Sequence, residues 1–326
     1  MEIKAIVSDI KRKSGVTQQP VDGIYFVACG GSWISQYPAK YLLERESKTL
    51  KVGYYTSNEF VHATPQSFTK NSIAVFCSLM GTPETEVACQ LSKNVGAHTI
   101  AFCGNPEATM SKIADYVVPF KSVANDETKF MESNAAPALL MAFEILNQFE
   151  GYKYYDKALE GFAVLEDISD KIKKRIEDYA EKFANEHKDD NLIYVLAGGP
   201  ASGVAYGFSI CSMMEMQWIN APVINTGEFF HGPFEIVDRK LPFVLFLSDG
   251  RNRDIDLRAL NFLNQYAERV TVVDARELYI DQIDDTVREY FNHFVFDVVQ
   301  RRFLDNMARV RKHEKMSRRY MWKVKY

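Results

Sequence analysis

The chain has 326 residues, 47% hydrophobic and 25% charged, with 39 Lys and Arg against 43 Asp and Glu for a formal net charge of −4. This ordinary globular composition leaves room for two domains, and the acidic balance argues against a nucleic-acid partner while still allowing a local basic site for a phosphate. No apolar run approaches the ~20 residues of a membrane span; the five cysteines (Cys29, Cys77, Cys89, Cys103, Cys211) are an odd set with no C-x-x-C, and the first residues lack the apolar core of a leader, so the expectation is a cytoplasmic chain with reduced thiols and no membrane partner.

The apolar residues Ile3, Ile6, Val7 and Ile10 fall at helical spacing, predicting a short helix over Ile3 to Lys11 and a polar linker to Pro20. Ile24 to Ala28 is a continuous apolar run of strand length. Cys29-Gly30-Gly31-Ser32 follows, then a helical stretch from Trp33 to Arg45. A buried strand that runs through small residues into a helix is half of a βαβ unit. Ligands in such sheets sit beyond the carboxyl ends of the strands. Gly31 would let the backbone approach a ligand, and Ser32 could donate to a phosphate or a sugar hydroxyl. The same residues also read as a plain strand–helix turn.

Lys51 to Tyr55 is the next predicted strand, and Ser57 to Phe60 opens a short helix. Ile73 to Cys77 is another buried strand. Ser78-Leu79-Met80-Gly81-Thr82-Pro83-Glu84-Thr85 leads from it into a helix reaching Asn94. Thr82 suits the N-cap and Pro83 the first turn. Hydroxyls and free N–H groups at a helix start make an anion site, which nominates Ser78, Gly81, Thr82 and Thr85; an ordinary capped helix is the alternative. Strands over His98 to Phe102 and Tyr116 to Phe120 follow. Asn125 to Phe149 reads as helical, with Pro137 as a kink or break. Gly151 to Lys188 carries one apolar stripe among Lys and Glu, predicting a linker helix with a solvated face.

Leu192 to Ser202 repeats the first strand's pattern of apolar run, Gly-Gly and hydroxyl, with Gly198 lying 198 − 30 = 168 residues after Gly30. That is an internal repeat of one α/β unit. A helix is predicted from Ala201 to Trp218 and a strand over Pro222 to Ile224. Further strands fall at Leu241 to Leu247 and Arg269 to Val273, with helices over Asp256 to Glu268 and Ile280 to Arg311. The basic, aromatic tail from His313 to Tyr326 would be costly to leave exposed, so it is expected to be tied down.

Glu215 lies among Met213, Met214, Met216 and Trp218, and a carboxylate in a buried helix is costly unless paired or functional. His231 follows 231 − 215 = 16 residues later, in the loop that also holds Glu228. A glutamate and a histidine in one pocket would make an acid/base pair. Equally, Glu215 reads as a helix residue with an arginine partner, and His231 as a turn residue satisfied by backbone. The other five histidines lack metal-ligand spacing, so neither metal nor cofactor is expected. There is no phosphate-loop or dinucleotide fingerprint.

Glu215-x-x-Trp218-Ile219 followed by Gly227-Glu228-x-x-His231-Gly232-Pro233 resembles the second sugar-isomerase (SIS) domain of tandem-SIS proteins. One such protein is the isomerase half of glutamine–fructose-6-phosphate amidotransferase. Met214 to Ile236, with the tail Arg318-Arg319-Tyr320-Met321-Trp322-Lys323-Val324-Lys325-Tyr326, is more similar to the fructosamine-6-phosphate deglycases. The resemblance runs from about Tyr25 to Tyr326. It implies an α/β fold of two tandem SIS domains, each a parallel sheet flanked by helices in an αβα sandwich. The expected organisation is an N-terminal helix and linker (1–20), a first SIS domain (21–150), a linker helix (151–190), a second SIS domain (191–312) and a tail over the active site (313–326). Ser78 to Thr85 resembles the SIS phosphate loop, S-x-S-G-x-T-x-E-T. It departs from it at Met80, which replaces the second Ser, and in the threonine spacing.

The activity implied is cleavage of a fructosamine 6-phosphate to glucose 6-phosphate and an amine. Gly31, Ser32, Ser78, Gly81 and either Thr82 or Thr85 would hold the phosphate. Glu215 would move the C1 and C2 protons, His231 would open the ring, and Lys323 would polarise the open-chain sugar. Glu228 would touch a hydroxyl or support the others. In the related isomerases the histidine comes from an adjacent subunit, which implies a homodimer. A phosphosugar aldose–ketose isomerase and a non-catalytic sugar-phosphate sensor are the other readings. The full amidotransferase is not expected, because the chain lacks a glutaminase domain and an N-terminal nucleophilic cysteine.

Overall fold

Strands buried on both faces need unbroken apolar runs, and crossover helices make such sheets parallel. The structure is a computed structural model describing residues 2–122 and 127–325. Its described strands all pair parallel, in two sheets. The chain divides into two compact units, Met1–Leu159 and Glu160–Tyr326.

In the first unit, α1 (Ile3–Val16) precedes β1 (Gly23–Ala28), α2 (Gly30–Ser35), α3 (Tyr37–Glu46), β2 (Lys51–Thr56), α4 (Ser57–His62) and β3 (Ser72–Ser78). Next come α5 (Pro83–Val95), β4 (His98–Cys103), α6 (Thr109–Ile113), β5 (Tyr116–Pro119) and α7 (Ala135–Glu150). The strand order is β2-β1-β3-β4-β5. The order reverses between β1 and β3, so the ligand crevice lies beyond their carboxyl ends. Ala28 pairs with Cys77 there, which brings the Cys29–Ser32 and Ser78–Thr82 loops side by side. Both strands are buried along their whole length. Tyr25, Val27, Ala74 and Phe76 share a core with Phe60 and Phe68 from the α4 side. Burying one such phenylalanine stabilises the fold by about 1.5–3 kcal/mol, which makes this floor rigid.

The long helix α8 (Tyr155–His187) contains the boundary between the units. The second unit then has β6 (Tyr194–Ala197), α9 (Ser202–Gly207), a π-helix (Phe208–Gln217), β7 (Val223–Asn225), β8 (Pro242–Leu247), α10 (Arg253–Tyr266), β9 (Arg269–Asp274) and α11 (Asn292–Arg311). Its order is β7-β6-β8-β9. Leu196, Phe229, Phe243, Leu245, Ala259 and Leu263 form its core.

Several expectations need correction. Pro137 neither kinks nor breaks a helix, because α7 begins only at Ala135 and the proline sits in its first turn, where its missing N–H costs nothing. The expected start of that helix at Asn125 and Asp126 lies outside the described residues, and Phe130–Glu132 is a separate 3₁₀ turn. The Trp33–Arg45 helix is two helices, broken at Gln36. The repeat offset is also one residue larger than the Gly-Gly pairs suggest. Gly30 and Gly199 are the glycines with left-handed φ, +54° and +48°, and 199 − 30 = 169. Ser32 therefore corresponds to Ala201, so the hydroxyl is not repeated.

Candidate active site

In the first unit the crevice is lined by hydroxyls and left open. Gly31 and Ser32 lie in the first turn of α2, and a Cβ on Gly31 would meet nothing within 4 Å. Across from them the buried Ser78 Oγ accepts from the Gly81 N–H at 3.1 Å and the Thr82 N–H at 2.9 Å. The Thr82 hydroxyl lies 3.0 Å from the same oxygen. Thr82 occupies the N-cap position of α5 without making the capping bond, since its side chain turns to Ser78. The loop can close this tightly only with glycine at position 81. Its φ is +86°, and a Cβ there would sit 2.7 Å from Ala108 Cβ and from Glu86 Oε1. Thr85 is 1% exposed and shares a 2.8 Å hydrogen bond with Ser57. Its hydroxyl is engaged inside the unit. Met80, at the departure from the SIS loop, is 68% exposed.

In the second unit Glu215 does not sit in the deeply apolar wall its neighbours suggest. Its side chain is 25% exposed and pairs with Arg318 at 2.5 Å. The arginine-partner reading of the sequence describes this contact. The cause of the mismatch is the helix type. The i→i+5 ladder of a π-helix turns less per residue than an α-helix, so Met213 is buried while Met214 and Trp218 point outward. The π-helix ends at Trp218, in left-handed conformation. Cys211 lies four residues before Glu215. Burial, with Glu215 adding to it, pushes its thiol up to about 12. It is therefore no ready thiolate nucleophile at neutral pH.

The tail straps over this helix end. Gln217 Nε2 donates to the His313 carbonyl at 3.1 Å, and Arg319 stacks 4.1 Å over the Trp218 ring. Lys323 Nζ donates to the Arg318 carbonyl at 2.5 Å. Arg318 thus touches both, Glu215 through its guanidinium and Lys323 through its backbone carbonyl. The expectation that the tail's aromatics are covered fails in the chain by itself, because Tyr320 and Trp322 are 68% and 70% exposed. Tyr326 lies outside the described residues.

His231 and Glu228 belong to a different element of the second unit. Their loop follows β7 and is pinned by Phe229, which is fully buried, and by Phe230 and Phe234 packed on Phe262. Pinning Phe229 and Phe230 leaves the flanking Glu228 and His231 exposed. Among the described residues, no hydrogen bond or ion pair joins the His231 imidazole to Glu215.

Comparison with known proteins decides the family. A fructosamine deglycase of Bacillus subtilis (strain 168), FrlB, is 38% identical over 326 residues, covering 100% of this chain and 97% of that protein. The chain belongs to the fructosamine deglycase family of tandem-SIS proteins. Fructoselysine 6-phosphate deglycase of Escherichia coli (strain K12) is 26% identical over 277 residues, covering 85% of this chain and 78% of that one. A solved structure from Salmonella typhimurium LT2, named as a phosphosugar isomerase, superposes with a TM-score of 0.94 at 38% identity, covering 100% of this chain and 98% of that one. No family model matches the chain.

Within this deglycase-family chain the two SIS domains have diverged at the same place in the fold. The second unit's switch point, between β6 and β8, is filled. A Cβ on Gly198 would lie 2.2 Å from Asn252 Nδ2, 2.3 Å from Thr226 Oγ1 and 2.8 Å from Asp256 Oδ1. Asp256 accepts from Thr226 and Ser248, both at 2.6 Å. Burial pushes its carboxyl above the ordinary aspartate range. At Gly199, the counterpart of Gly30, a Cβ would lie 2.8 Å from Asn252 Cβ, whereas at Gly30 it would meet nothing within 4 Å. The sequence reading missed Arg318 as the partner of Glu215. The only available signal was the Arg-Arg pair in a tail otherwise rich in aromatics.

Proposed function

We propose that the chain cleaves a fructosamine 6-phosphate to glucose 6-phosphate and a free amine or amino acid. The full-length identity of 38% to a fructosamine deglycase carries this reading. The open hydroxyl crevice of the first unit and the carboxylate and imidazole of the second support it.

Gly31, Ser32, Ser78, Gly81 and Thr82 hold the phosphate with backbone N–H groups and hydroxyls, at the start of α5 where the helix dipole favours an anion. Thr85 supports the loop from beneath through Ser57. Phosphate anchoring fixes C1 and C2 for reaction. His231 opens the ring by moving the anomeric proton to the ring oxygen. Glu215 takes a proton from C1 as the C2 carbonyl oxygen gains one from solvent, giving an enaminol, and return of the C1 proton to C2 with loss of the N–H proton to solvent leaves an imine at C1. Water adds at C1, the C–N bond breaks, and the amine leaves with the aldehyde of glucose 6-phosphate. The net reaction is therefore a hydrolase one. Lys323 orients the open-chain carbonyl, and Glu228 supports His231 or a sugar hydroxyl. The assembly is a homodimer with shared sites, supported by His231 being exposed and unbonded to Glu215 within one chain. The compartment is the reducing cytoplasm, supported by five free cysteines, three of them buried.

Ser78→Ala is expected to raise KM for the sugar phosphate about 10- to 100-fold, because a hydrogen bond to a charged group is worth about 1.5–3 kcal/mol. Steady-state kinetics, read beside a thermal melt, checks this.

The 38% identical structure named as a phosphosugar isomerase favours a second reading, an aldose–ketose isomerase using the same proton transfer. Incubation with fructoselysine 6-phosphate, fructose-aspartate 6-phosphate, or fructose 6-phosphate with ammonia separates the two. Release of glucose 6-phosphate and amine in equal amounts is the expected result. Turnover of fructose 6-phosphate alone would replace the deglycase with an isomerase.

A further inference from the structure

We infer that Arg318 is the positioning residue of the Glu215 carboxylate, holding one oxygen so that the other is presented to the substrate. The inference rests on the proposed role of Glu215 as the proton-transfer group. Arg318 Nη2 donates to Glu215 Oε1 at 2.5 Å. Among the described residues Oε2 makes no hydrogen bond, and the side chain keeps a quarter of its surface exposed. A carboxylate clamped on one oxygen and open on the other is in the geometry a base needs, with a lone pair aimed and free.

The arginine is itself held by its own loop. Nη1 donates to the carbonyls of Lys315 at 2.6 Å and Ser317 at 2.9 Å. The guanidinium lies 5.4 Å from the Trp322 ring, and its side chain is only 5% exposed. Among the described residues Glu215 is its one carboxylate partner. The buried Nε has none. A nearly buried guanidinium with a single ion pair is a poor stabilising device, since desolvation offsets most of the attraction. It is a good fixed point. Arginine cannot exchange its proton at working pH, so its part is geometric. The strap of His313 and Arg319 on Gln217 and Trp218 fixes where the tail crosses the π-helix. Lys323 Nζ on the Arg318 carbonyl then ties the tail's other candidate cation to the same spot.

The test compares Arg318→Met, Arg318→Lys and Glu215→Gln, with fructoselysine 6-phosphate as substrate. In Arg318→Met, kcat is expected to fall about 10- to 100-fold while KM stays within about twofold, because a misplaced catalytic group loses transition-state contact and not ground-state binding. Added methylguanidinium restores part of that loss, and Arg318→Lys falls between Met and the parent. Should Arg318→Met not fold, Arg318→Gln takes its place, removing the charge and keeping a donor. Unchanged kcat in the uncharged variant overturns the inference. So does a loss in KM and melting temperature together that methylguanidinium does not relieve. If Glu215→Gln is inactive while Arg318→Met is fully active, this inference fails alone; if Glu215→Gln keeps full turnover, the role of Glu215 fails with it.

Discussion

Glu215→Gln is expected to lose about 10²- to 10⁴-fold in kcat, the usual worth of a positioned general acid/base. The substitution is nearly isosteric. An amide oxygen can still accept from Arg318 Nη2, so the 2.5 Å contact and the tail that makes it should survive. What disappears is the group proposed to accept the C1 proton. Sugar-phosphate binding should persist, since the hydroxyl crevice belongs to the first unit. Isothermal titration with glucose 6-phosphate, beside a steady-state assay of amine release, separates the two effects. Full turnover in the variant would rule out Glu215 as the base.

The second large effect concerns His231. His231→Asn should lower kcat by about 10²-fold or more on a ring-closed ketosamine 6-phosphate, because ring opening would then lack its proposed proton carrier. The fold should be indifferent. The imidazole is exposed, and the loop is held by the buried Phe229 and the aromatic contacts of Phe230 and Phe234. The sharper experiment mixes two inactive variants. If one chain's histidine serves the other chain's carboxylate, a hybrid of Glu215→Gln and His231→Asn contains one site with both native groups. Mixed after mild dissociation, the pair should regain activity that neither has alone. No recovery in a verified hybrid would mean that histidine and glutamate act within one chain.

Much of this was legible in the sequence because the residues involved answer to local rules. The apolar runs at Ile24 to Ala28 and Leu192 to Ala197, each ending in glycine and helix, predict buried parallel strands in two repeated units, and both are found. Pro83 at a helix start, Gly81 at a positive φ and Ser78 beside them are likewise short-range chemistry. The misses come from longer range or from an unusual ladder. Expecting Pro137 to kink a helix presumes a helix already under way, and only the neighbouring chain decides that it begins at Ala135. The burial expected for Glu215 presumes a period of 3.6, which the π-helix does not have.

The sequence by itself determined the parallel α/β class, the doubled unit and the residue types of the candidate site, since apolar runs, glycine turns and hydroxyl loops act over a few residues. Tertiary structure alone decided that Arg318 meets Glu215 across 318 − 215 = 103 positions of chain, that Thr85 turns inward to Ser57, and that Asn252 crowds Gly199 while the space at its counterpart Gly30 is free. Those outcomes depend on which distant side chains compete for one volume, and no local pattern encodes the winner.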